Sequence, residues 1–219
     1  MSIEIIKGEC WRNIILAFVD DLKIEKDFSI YIGDDCDEYY RTITGKDIKT
    51  SAGIYCSDIK LVLIKCSRAD IIFHELVHVR FNELYGKINK DEEVIDFINE
   101  YIALYYECKM IVSIISTNEE FNGVIEQFTI NINEIYKEIK GFSIKSIEDR
   151  IRYMRRIANL LSTRRILKEI NAYSCKGFNY EIDKMLGCFK KVDELEIENV
   201  KFKYKEIEKE FKSYIKELV

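Results

Sequence analysis

Proline is absent from all 219 residues, and no low-complexity stretch serves as a linker. Histidine is nearly absent as well, with two in the chain. That count excludes any site built on three imidazoles. No uninterrupted apolar run approaches the ~20 residues that a membrane-crossing helix needs. The first residues, Met1 to Lys7, lack the positive region, apolar core and small-residue cleavage site of a secretory signal. The seven cysteines are odd in number and include no C-x-x-C pair, so they read as reduced thiols rather than a disulfide framework. An excess of positive charge is missing too. The formal net charge of -5 argues against a general nucleic-acid binder. A soluble protein of the cytoplasm is expected, with no membrane partner.

What is present is an ordinary globular balance, 47% apolar and 33% charged. It suits one domain, or one domain with a helical appendage. Both histidines fall in one stretch, His74-Glu75-Leu76-Val77-His78. Residues four apart share a helix face, so both imidazoles can reach one metal ion. The glutamate between them lies on nearly the same face. Two such histidines and a glutamate form the zinc signature of metalloproteases, with the glutamate as general base. The plainer reading is a helix with two surface histidines. Ser67 with Asp70 predicts a capping box at the start of this helix, and Gly86 a natural stop. Ile71, Ile72, Phe73, Leu76, Val77, Val79 and Phe81 wrap most of its circumference, which predicts burial.

Before this helix, the spacing of Trp11, Ile14, Ile15, Phe18, Val19 and Leu22 predicts a helix from about Gly8 to Lys23. Phe28 to Ile32 alternates as a strand, and Tyr39 to Thr44 is read as another, turned by Gly45. Gly53 to Cys56 and Leu61 to Ile64 predict a hairpin. After Gly86, a polar loop (87–90) leads to a second apolar helix, capped at Asn89 or Asp91 and running to Ile115. Thr117 with Glu120 and Ser146 with Asp149 predict capping boxes of later helices. Ile197, Val200, Tyr204, Ile207, Phe211, Tyr214 and Leu218 space like a short coiled-coil seam, although Leu195 to Tyr204 also partly fits a strand period. A boundary near Ser116 to Asn118 divides the chain into residues 1–116 and a helical region, 117–219. The fold class is α+β.

A catalytic zinc takes three protein ligands and keeps one position open. With no third histidine, the third ligand is a carboxylate or a cysteine. Glu93, Asp96, Glu100 and Glu107 on the second helix are candidates, with Cys66 a weaker one. Glu100 is preferred, because it stands among apolar neighbours where an unpartnered carboxylate is costly. It also precedes the small residue Ala103. Glu107 lies two turns further, ~10 Å along the axis, and cannot take the same position.

His74-Glu75-x-x-His78 followed by Glu100-x-x-Ala103 resembles the gluzincin zinc metallopeptidases, and most of all the ImmA/IrrE-like peptidases. The resemblance covers roughly Phe28 to Tyr106. It implies a zincin-like core, a small and mostly antiparallel sheet packed on the motif helix. It also implies Zn2+ held by His74, His78 and Glu100, with Glu75 as base. The activity implied is cleavage of a specific intracellular, regulatory protein or peptide by zinc-activated water. Leu104 stands where that family commonly has Asp or Asn.

Tyr101, Tyr105, Tyr106 and Arg80 are candidates to polarise the substrate carbonyl, with core packing or surface charge as the plainer role. The strand Gly53 to Cys56 could pair with an extended substrate. A different class of function is a catalytically inactive zincin scaffold that binds a partner through its helical region. The intact Glu75 argues against that reading. Arg150, Arg152, Arg155, Arg156, Arg164 and Arg165 read as a solvated helix face, or else as a contact for nucleic acid or an acidic partner. The sequence leaves oligomeric state open.

Overall fold

A computed structural model of the chain describes residues 2–86, 90–173 and 178–218. It divides into two compact units, residues 1–88 and 89–219. The boundary expected near Ser116 to Asn118 falls within the second unit. The class is α+β.

The first unit holds four strands: β1 (Ile3–Lys7), β2 (Phe28–Ile32), β3 (Gly53–Cys56) and β4 (Leu61–Ile64). Their order in the sheet is β1-β2-β4-β3. β1 pairs β2 and β2 pairs β4 in parallel, and only β3–β4 is antiparallel. The sheet is therefore mixed rather than mostly antiparallel. The difference comes from β1, whose residues carry no clear strand period, and from the long connections that parallel neighbours require. One of those connections carries α1 (Arg12–Asp21), preceded by a short 3-10 turn.

Residues 39–44 also depart from the strand expected there, forming most of α2 (Cys36–Thr44). Tyr39 and Tyr40 suit a strand by propensity, but the helix ends decide. Asp37 and Glu38 occupy its first turn, favourable to the helix dipole, and Gly45 closes it at φ 69 with its N–H bonded to the Arg41 carbonyl. Tyr39 then stacks on Tyr31, centroids 4.2 Å apart.

Helix α3 (Ala69–Tyr85) carries the motif. It packs on β3, β4 and α1, with Phe18 edge-on to Phe73 at 4.8 Å. The opposite face of the sheet buries Tyr31, Cys36, Leu61 and Leu63 beneath Tyr39, Tyr40 and Ile48. The expected capping box is not formed. The N-cap is Arg68, which pairs with Asp70. Gly86 ends the helix, though at an ordinary φ of -62. Its lack of a side chain matters for space, since a Cβ would stand 2.2 Å from Asn82 Oδ1.

The second unit is helical among its described residues: α4 (Glu92–Ser113), α5 (Asn118–Gly141), α6 (Ile147–Glu169), α7 (Phe178–Met185) and α8 (Val200–Leu218). Asp91 is the N-cap of α4, and Asn89 lies outside the described residues. α6 packs on α4 and α5, and α8 on α4. Phe97 meets Phe189 at 5.5 Å and Phe211 at 5.3 Å in the core. The Thr117–Glu120 box forms reciprocally. At Ser146 half of the box forms: its Oγ accepts from the Asp149 N–H, while the Asp149 carboxylate accepts from the Lys145 N–H. Val200, Tyr204, Ile207, Phe211 and Tyr214 are buried as the seam predicts, while Phe202 is exposed, which rules out the strand period there.

The arginines of α6 divide: Arg152, Arg155 and Arg156 lie on an exposed face, as a solvated helix face expects, while Arg164 and Arg165 turn inward. Arg164 and Arg165 are buried. Arg164 pairs with Asp193 at 2.7 Å, and Arg165 with Glu169 at 2.8 Å and with Glu196. Arg150, Arg155 and Arg156 pair with Glu93, Asp96 and Glu138. These five charges are answered inside the unit, while Arg152 is exposed.

Candidate metal centre

One turn of α3 brings His74 and His78 onto the same side, both half-buried. Their Nε2 atoms face each other 3.1 Å apart, with ring planes at 82°. Two nitrogens bound to one tetrahedral zinc at 2.0–2.1 Å would be ~3.3 Å apart, so the pair is already close to that arrangement. Among the described residues, His74, Glu75 and His78 form the group able to hold a metal ion, with ligand atoms all within 4.8 Å of one another.

Glu75 is buried, 5% exposed, against the edge strand β3. A Cβ on Gly53 would stand 2.7 Å from Glu75 Cγ and 2.8 Å from its Oε1. Glycine at 53 is therefore a requirement of close approach between strand and helix. A strand pattern alone marks Gly53 as no more than a strand start. The signal for this role is a glycine opening a β-rich run just before the motif helix.

Further along β3, Tyr55 accepts a hydrogen bond at 3.3 Å from Asn82 Nδ2, one turn past His78. Burial pushes the Tyr55 phenol up, with the Glu83 charge adding to it. Cys56 is pushed up to about 11 by burial first and then by the charges of Glu75 and Asp58, so it stays a neutral thiol. Cys66 is exposed and lies outside the metal-capable group.

Glu100 lies on α4, in the second unit, half-buried, near Arg155, whose pKa is raised first by the Asp96 hydrogen bond and also by the Glu100 charge. Glu93 and Asp96 are engaged by Arg150 and Arg155. Glu107 is half-buried on the same helix. The four residues considered for carbonyl polarisation all carry structural bonds. Arg80 pairs with Glu83 at 2.9 Å. Tyr101 accepts from Arg165 at 3.4 Å, Tyr105 donates to Glu169 at 3.1 Å, and Tyr106 donates to Glu196 at 3.0 Å. Packing, the plainer role, is the one the structure gives them.

No protein-family model, curated protein or solved structure matches this chain.

Proposed function

We propose that the chain is a zinc-dependent endopeptidase of the gluzincin type, similar to the ImmA/IrrE-like peptidases. The observation that carries this reading is the convergence of two Nε2 atoms at 3.1 Å beside a buried glutamate. A structural metal site has no use for that glutamate; a hydrolytic one needs a base there. His74 and His78 would hold the ion. The resemblance implies Glu100 as the third ligand. When bound, zinc supplies Lewis acidity and lowers the pKa of water at neutral pH.

The chain's own residues do the rest. Glu75 accepts a proton from the attacking water through its carboxylate and delivers it to the leaving amide nitrogen. Burial against β3 limits its motion, and its ligand atom lies within 4.8 Å of those of the two histidines. The Lys65 N–H bonds to the Ala52 carbonyl in the β3–β4 register, so pairing alternates from there. Gly53 and Tyr55 therefore turn their backbone N–H and C=O outward, away from β4. An extended peptide added to that edge would run past Glu75, which favours a protein or peptide substrate.

Elemental analysis of protein purified without added metal tests the site. One zinc per chain is expected, lost on His74→Ala and strongly weakened on Glu100→Gln, with Glu93→Gln unaffected. A chain that takes up no zinc on titration contradicts the reading.

A further inference from the structure

Two helices of the second unit carry opposite charge on their outer faces. On α8 the buried residues mark one side. At 100° per residue, Lys201, Lys205, Lys209, Lys212 and Lys216 fall on the other, within an arc of ~80°. Lys212 bonds Asp91 at 3.3 Å and also Glu208. The other four enter no ion pair among the described residues. Lys90 sits over the Tyr204 ring at 3.7 Å, where burial foremost lowers its pKa, Glu208 opposes that, and Lys201 and Lys205 add to it. Beside this ridge Phe202 is 84% exposed.

On α5 the buried side is set by Phe128, Ile132, Ile135, Tyr136 and Ile139. Opposite them run Glu119, Glu126 and Glu134, which also enter no ion pair among the described residues. Between them lie Ile130, 42% exposed, and Gly123, where an added Cβ would meet nothing within 4 Å.

We propose that the lysine ridge of α8 docks antiparallel on the outer face of α5 from a second copy of this chain. Setting Phe202 against Ile130 fixes the register. Lys201, Lys205 and Lys212 then fall within one turn of Glu134, Glu126 and Glu119, and Lys209 falls opposite the open Gly123. A parallel arrangement at the same anchor places Lys209 on Lys137 and is rejected by charge. The paired exposed apolar residues supply a small dry anchor, and the flanking charges set orientation. A nucleic acid or anionic lipid surface fits less well. Glu206, Glu208 and Glu217 border the ridge, and the whole chain carries -5. The contact joins unlike faces, so copies either make it twice about a two-fold axis or add head to tail.

Sedimentation velocity on the full chain, over a concentration series at low and high salt, tests this without reference to metal or catalysis. Reversible association that weakens with salt is expected. Lys201→Glu/Lys205→Glu and Glu126→Lys/Glu134→Lys should each weaken it at least ~10-fold, and mixing the two variants should restore a complex. Far-UV circular dichroism and melting confirm that each variant is folded, and Phe202→Ser gives an independent loss. A parent that stays monomeric overturns the proposal, as does association indifferent to the reversals or a mixture that fails to recombine. A monomer that binds an oligonucleotide or anionic vesicles through these lysines assigns the ridge to a polyanion and overturns it equally.

Discussion

Glu75 is held from two directions, by its own helix and by a strand that touches it only because residue 53 has no side chain. Gly53→Ala puts a methyl group inside van der Waals contact with Glu75 Cγ. Either the strand shifts, at roughly 1–3 kcal/mol of overpacking, or the carboxylate moves. A displacement of about 1 Å at a reacting group costs ~10²-fold in rate. On the proposed reading, the variant should therefore bind zinc as the parent does, because the histidines are not displaced, and lose the proposed peptidase activity. Metal content measured beside turnover checks this, and loss of both together would show that Gly53 supports the whole site rather than the base. The histidine pair and its glutamate were legible in the sequence because they are local, lying within five residues on one helix. Gly53 was not, since its partner is 22 positions away and nothing in a strand pattern marks which residue must be small. The same distance in sequence hid the partners of Arg164 and Arg165, which sit on Asp193 and Glu196.

Among elements, the strongest periods gave the most reliable reading. β2, the β3–β4 hairpin and the motif helix stand where spacing places them, while the α1 stripe and the α8 seam hold apart from Ile14 and Leu218, which are exposed. β1 escaped because only one side of it is covered, so its pattern is weak. α2 escaped because two adjacent tyrosines outweighed an acidic start and a glycine stop. Two element-scale predictions follow from the caps and straps. Thr117→Ala removes one side of a reciprocal box and should cost ~1 kcal/mol, read as a lower urea midpoint with unchanged slope. The segment before β3 is tied down by Asp37, which bonds Lys65 at 3.0 Å and the Thr50 N–H at 2.9 Å. Those bonds, Lys65 first, hold its carboxyl down from 3.8 to about 2. A depressed folded value contributes stability above the unfolded one, lost as pH falls from about 4 through about 2. Asp37→Asn should flatten that part of the curve of urea midpoint against pH. An unchanged pH dependence would mean that this tie adds nothing.

For the whole molecule, no helix among the described residues is long and apolar enough to cross a membrane. The described cysteines are free thiols, as their odd number suggested. The first unit is a small mixed sheet carrying a helix on which His74, Glu75 and His78 could hold a metal ion, and the second unit is helical among its described residues. Removing zinc with a chelator should lower the melting temperature, because an ion bound only to the folded state stabilises by mass action. Scanning calorimetry with and without chelator reads this directly, and identical curves would argue that no metal is bound. The most direct measurement of the central claim compares new protein N-termini, by mass spectrometry, in cells producing the parent or Glu75→Gln at equal zinc content. General-base catalysis contributes ~10²–10⁴-fold, so a small set of termini present with the parent should vanish with the variant. The same set from both proteins would contradict the account and leave the chain a zinc-stabilised binding module.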